Sequence, residues 1–149
     1  MKNHAFFIEF CYQLAEASVK AGNHPFGAIL VVGDEVILSS QNQVNSSGDN
    51  TQHAELELMR SAAKSLSKTD IQRATLYTST EPCAMCAGAI YWSGIPHVVY
   101  GCSAVGLGQL TGGSLVIPCR EVLLKGRREV QVTGPVLESA GLKIHQSFW

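Results

Sequence analysis

One imidazole, two thiols and one carboxylate recur at spacings that suit metal-centred hydrolysis. His53-Ala54-Glu55 is followed along the chain by Pro82-Cys83-Ala84-Met85-Cys86. One neutral histidine and two thiolates cancel the charge of Zn2+, and three protein ligands leave a fourth tetrahedral position open for water. In such sites zinc takes the pKa of bound water from about 15.7 to about 7. A hydroxide nucleophile then exists at neutral pH. Glu55, close to His53 but not itself a ligand, is placed to carry that water's protons.

Each half of the pattern also has a plainer reading. An H-x-E at a helix start is common, and a lone C-x-x-C near a βαβ unit suits a redox pair or half of a four-cysteine structural site. A redox pair gives the histidine and carboxylate no purpose. A structural site would need a second C-x-x-C, which the sequence lacks. Taken together and in this order, the residues favour a catalytic zinc, with a non-catalytic zinc module or a redox protein as the rivals of another class.

The elements that must position these groups follow from pattern. In a helix, residues two apart point to nearly opposite sides. His53 and Glu55 can therefore share a site only if His53 stands at the extreme N-terminal end of its helix. The polar run Gln41 to Thr51 places it there. Cys83 and Cys86 share a face at i,i+3, and Pro82 marks the start of an apolar helix from Cys83 to Trp92. Two helix N-termini, each carrying about +0.5 of a charge, would converge on one ion and favour thiolate over thiol.

Further helices are expected from about 4 to 21, stopped by Gly22-Asn23, from 53 to about 66, and over 135–140. Strands are expected at 28–32 and 35–39, joined by Gly33-Asp34 as a hairpin, and at 74–80, 98–100 and 130–132. The stretch from Gly101 to Gly113, with five glycines, reads as a flexible loop. Helices alternating with strands imply an α/β protein, a three-layer α/β/α sandwich on a mixed sheet of about five strands.

Composition narrows the class. The 149 residues are 46% hydrophobic and 15% charged with a formal net charge of −1, which suits one globular domain over 1–149. No clustered Lys and Arg face a phosphate backbone, so a nucleic-acid partner is not expected. Arg127-Arg128 with Lys125 reads as a solvated turn. No run approaches the ~20 apolar residues of a membrane span, and no leader-like segment appears, so a cytoplasmic protein is expected. Five cysteines suggest metal chemistry in a reducing compartment rather than a disulfide frame. Cys11, Cys102 and Cys119 read as core, and His4, His24, His97 and His145 as surface or capping residues.

These residues make the chain resemble the cytidine-deaminase superfamily of zinc hydrolases. The closer likeness is to the branch holding bacterial guanine deaminases, tRNA adenosine deaminases and yeast-type cytosine deaminases. It rests on Pro25-Phe26-Gly27-Ala28, Asn42, His53-Ala54-Glu55, Leu76-Tyr77-Thr78-Ser79 and Glu81-Pro82-Cys83. It continues through Cys86-Ala87-Gly88-Ala89-Ile90-Tyr91-Trp92 and fades after Gly101. Phe26 and the last two blocks are particularly like guanine deaminase. The basic C-terminal helix typical of tRNA deaminases is missing.

The resemblance implies zinc on His53, Cys83 and Cys86, one ion per chain, with Glu55 as proton shuttle. It implies that Asn42 and the backbone N–H groups of Ala54 and Cys83 hydrogen-bond the substrate, and that the Glu81 carbonyl accepts from the leaving amine. Trp149 would be a stacking lid over the base or a packed C-terminus. The expected reaction is hydrolytic deamination of a free base or nucleoside with release of ammonia, guanine or a related aminopurine first. A cytosine- or triazine-like ring and tRNA adenosine come next. This branch implies a homodimer whose partner residues line the pocket.

Overall fold

The computed structural model describes residues 2–149. Asn3 caps helix α1 (His4–Lys20) by accepting from the Phe6 N–H. Strands β1 (Gly27–Val32) and β2 (Glu35–Gln41) form the expected hairpin, with Gly33 supplying the positive φ of the turn. A short α2 (Val44–Ser47) precedes α3 (Ala54–Ser65), α4 (Lys68–Gln72) and β3 (Ala74–Thr80). Then follow α5 (Ala84–Ser93), β4 (His97–Cys102), α6 (Ala104–Thr111) and α7 (Cys119–Leu123). Strand β5 (Gln131–Thr133) and α8 (Glu138–Phe148) complete the order.

The sheet runs β2-β1-β3-β4-β5, antiparallel across β2-β1-β3 and parallel across β3-β4-β5. Helices α1 and α8 cover one face, and α3 and α5 the other. The sandwich with a mixed five-stranded sheet is as the sequence implies. Strand β1 is apolar at every position because both its faces are covered. Ala28 and Leu30 pack with Leu58, Met59 and Leu76 on one side. Ile29 and Val31 pack with Phe7, Ile8 and Cys11 on the other. Gly27 admits α1 to the sheet: a Cβ there would stand 2.4 Å from the Leu14 Cβ and 2.7 Å from the Cys11 carbonyl.

Three expectations are corrected. The segment from Gly101 to Gly113 is not a plain loop. Gly101 and Cys102 finish β4, and α6 follows because Ser103 caps it by accepting from the Gly106 N–H. The helix expected over 135–140 starts later and runs to Phe148. Nothing in Glu138–Phe148 stops it, and Gly141 is required where the Tyr12 ring packs, since a Cβ would lie 2.6 Å from the Tyr12 hydroxyl. Helix α5 begins at Ala84, with Cys83 as its cap rather than its first turn.

Candidate metal centre

Helices α3 and α5 lie side by side and present their N-terminal ends together. His53 is the N-cap of α3, with φ −76° and ψ 152°, and Cys83 is the N-cap of α5, with φ −67° and ψ 172°. Both are extended, not helical. That solves the spacing problem, because His53 and Glu55 reach one site although two residues apart. Cys86 follows one turn into α5 and is fully buried.

The three candidate ligands meet. His53 Nδ1 lies 3.6 Å from Cys83 Sγ and 3.7 Å from Cys86 Sγ, and all three ligand atoms lie within 4.8 Å of one another. A tetrahedral zinc with Zn–S of about 2.3 Å and Zn–N of about 2.0 Å sets an N···S separation of about 3.5 Å. The donor set therefore fits zinc in both chemistry and spacing. In the chain alone, hydrogen bonds from Cys86 and from His53 hold the Cys83 thiol well below its ordinary pKa. Cys86, as the donor of the pair, is pushed up, and the bond to Cys83 raises His53.

Glu55 lies in the first turn of α3 and is only 5% exposed. Burial raises its carboxyl to about 7, and the Cys83 thiolate adds to the rise. His53, Glu55 and Cys83 all line one cleft of about 180 Å3. Phe26, Thr80 and Glu81 line the same cleft, and the segment from Ala104 to Ile117 supplies its other wall. That wall contains no charged side chain.

Glu81 does more than its backbone suggested. Its Oε1 accepts from the Ala104 N–H at 2.9 Å, and its Oε2 from the Cys119 N–H at 2.7 Å. One buried carboxylate thus pins both ends of the wall segment. Sequence spacing could not show this, because the partners are backbone groups 23 and 38 residues away.

Asn42 is 1% exposed. Its backbone N–H donates to Phe26 O at 3.0 Å, and its Oδ1 accepts from the Val44 N–H at 3.0 Å. The Asx turn is therefore present, and Asn42 is not among the residues lining the cleft. Ala54 stands at the first helical position of α3, where helix geometry gives its N–H no intrahelical acceptor. Trp149 is not among the side chains lining the cleft. Its ring lies 5.3 Å from His24, and its Nε1 donates to His145 Nδ1 at 3.1 Å.

His145 is corrected from a surface residue to a buried one, 1% exposed, with Nε2 at 2.8 Å from the Thr80 hydroxyl. The i,i+4 spacing of His145 and Trp149 would have revealed the pair had α8 been expected to run past Ala140. Cys11, Cys102 and Cys119 are buried away from the ligand cluster, as expected. The redox alternative loses its main support, because the C-x-x-C shares its site with the histidine.

Residues 1–102 match the family model described as the cytidine and deoxycytidylate deaminase zinc-binding region. The chain belongs to this family. It is 39% identical to a probable cytosine deaminase of Schizosaccharomyces pombe, over 96% of this chain and 90% of that protein. It is 43% identical to a guanine deaminase of Bacillus subtilis over 99 residues, 66% of this chain and 64% of that one. The structure of a guanine deaminase from Nitrosomonas europaea superposes with a TM-score of 0.80, covering 99% of this chain and 85% of that one at 22% identity. That likeness covers nearly the whole chain, so the shared fold includes α8.

Proposed function

We propose that the chain hydrolytically deaminates a small free base or nucleoside and releases ammonia, with guanine or a related aminopurine as the leading substrate. The carrying observation is the convergence of His53, Cys83 and Cys86 beside buried Glu55, with His53, Cys83 and Glu55 lining a cleft large enough for one heterocycle. His53, Cys83 and Cys86 would hold zinc, which when bound supplies a nucleophile of hydroxide strength at neutral pH.

The remaining work falls to the chain. Glu55 takes a proton from the attacking water, passes it to the ring nitrogen beside the amino-bearing carbon, and carries a second to the departing amine. A carboxyl raised to about 7 can both accept and donate near neutral pH. The Asn42 amide nitrogen and the Ala54 and Cys83 N–H groups hold the ring edge. The Glu81 carbonyl accepts from the amino group, and Phe26 packs the ring face.

Cytosine-like rings are the second reading. The likeness to the Schizosaccharomyces pombe protein spans the wall segment, whereas the likeness to the Bacillus subtilis guanine deaminase covers 99 residues. An ammonia assay over guanine, adenine, cytosine, their nucleosides and a tRNA stem-loop separates the readings. Guanine turned over fastest supports the first, cytosine the second, and activity only on the stem-loop overturns both.

The proposal takes 1–149 as one deaminase domain acting in the cytoplasm as a homodimer. No helix among the described residues is long and apolar enough to cross a membrane. Trp92 on α5 is 85% exposed and Met85 also reaches the surface, an apolar face suited to a second copy. Sedimentation at micromolar concentration should show a dimer, and a Trp92→Glu variant should shift it towards monomer.

A further inference from the structure

A chain of hydrogen bonds behind Phe26 has no part in the chemistry above. It runs from Trp149 through His145 to Thr80. The Trp149 indole N–H can only donate, so His145 Nδ1, 3.1 Å away, is its acceptor. The His145 ring is buried, stands 5.3 Å from the Phe26 ring, and is neutral, since burial lowers its pKa to about 4. A neutral imidazole carries one proton, and with Nδ1 accepting that proton must be on Nε2. Nε2 therefore donates to Thr80 Oγ1 at 2.8 Å. The Thr80 hydroxyl is thus an acceptor towards α8 and keeps its own O–H for another partner. Thr80 is 3% exposed and lines the cleft beside Glu55 and Cys83.

We propose that Thr80 is a specificity-determining residue, its hydroxyl fixed by the Trp149–His145 pair as a hydrogen-bond donor into the cleft. The ring it selects presents an unprotonated nitrogen or a carbonyl oxygen at that edge. A ring offering N–H or C–H there leaves a buried hydroxyl unpaired, and sites built to hydrogen-bond a substrate group discriminate strongly against analogues lacking it. His145 and Trp149 are positioning residues that act through Thr80. The inference rests on the cleft being a base pocket.

The test pairs variants with guanine and with analogues that each lack one of its acceptors but keep the ring nitrogen that Glu55 protonates: 2-aminopurine, 7-deazaguanine and 9-deazaguanine. Thr80→Val should lower kcat/KM for guanine about 10- to 100-fold, mostly in KM, and Thr80→Ser should restore it to within about threefold. One analogue, the one missing the selected acceptor, should be a poor substrate for the wild-type chain and show no further loss with Thr80→Val. A penalty equal for every purine would make Thr80 merely structural and overturn the proposal.

The relay has its own readout, independent of turnover. Side-chain 15N NMR of His145 should show the Nε2–H tautomer in the wild-type chain. Trp149→Phe, which keeps an aromatic ring but removes the donor, should give a mixture of tautomers together with part of the Thr80→Val penalty. A wild-type Nδ1–H tautomer, or Trp149→Phe kinetics equal to wild type, would overturn the relay. Failure of the underlying reading looks different: the wild-type chain would release no ammonia from any base, and the selectivity proposal would fall with it.

Discussion

At the scale of residues, function rests on backbone conformation at two positions. His53 and Cys83 are both extended caps of helices, so each aims its side chain where a helical residue could not. Glu55, by contrast, sits inside its helix, buried and held near neutral pKa by that burial. The two roles predict different failures. Glu55→Ala should keep its zinc and lose ammonia release by about 10²–10⁴-fold, the usual worth of a positioned acid–base group. Retained activity in a zinc-loaded Glu55→Ala chain would reassign the proton shuttle. Cys83→Ser should instead lose the metal, read as zinc per chain after dialysis, because a hydroxyl at that position does not ionise to replace the thiolate. The three ligands and the carboxylate beside them were legible from residue type and spacing. The paired caps were implied too, since only a non-helical His53 can share a site with Glu55.

At the scale of elements, the least legible part was the wall of the cleft. Its five glycines in 101–113 suggest a flexible loop. The structure instead folds α6 from a Ser103 cap and fastens the segment at Ala104 and Cys119 to the Glu81 carboxylate. Those bonds are long-range and made to backbone, so no local pattern could announce them. Glu81→Gln tests the clamp. An amide has one acceptor oxygen and would turn its NH2 towards one of two backbone donors. The variant should lose about 1–3 kcal/mol of stability in urea unfolding and exchange amide hydrogens faster over 104–118. Wild-type exchange there would show that the wall holds itself. Gly27→Ala is a second test at this scale. Its Cβ would stand 2.4 Å from the Leu14 Cβ, so α1 must shift, and a loss of about 1–3 kcal/mol is expected from overpacking.

At the scale of the whole molecule, the sheet topology joins the site to the far end of the chain. The first hundred residues carry the metal ligands and the family pattern, and α8 returns across β4 and α1 to place His145 against Thr80. This return was not visible in sequence, because the tail carries little recognisable pattern and its helix was expected to end at Ala140. It has a consequence for acid stability. Burial lowers the His145 pKa from the ordinary value near 6.5 to about 4 in the folded chain. The unfolded chain then takes up a proton at higher pH than the folded one, so stability declines as pH falls from about 6.5 to about 4 and levels off below. A lowering of that size corresponds to about 3 kcal/mol. Urea unfolding at pH 7 and pH 4.5 should show a smaller drop for His145→Phe than for the wild-type chain, and equal drops would place the acid sensitivity elsewhere.

The central claim is that one histidine and two cysteines hold a zinc ion on which ammonia release depends. Ammonia release should be followed in a single preparation as its metal is stripped with a chelator and then returned as zinc. Activity should fall with the metal content and recover as it approaches one zinc per chain. A chain freed of metal that still deaminates at its full rate would contradict the account.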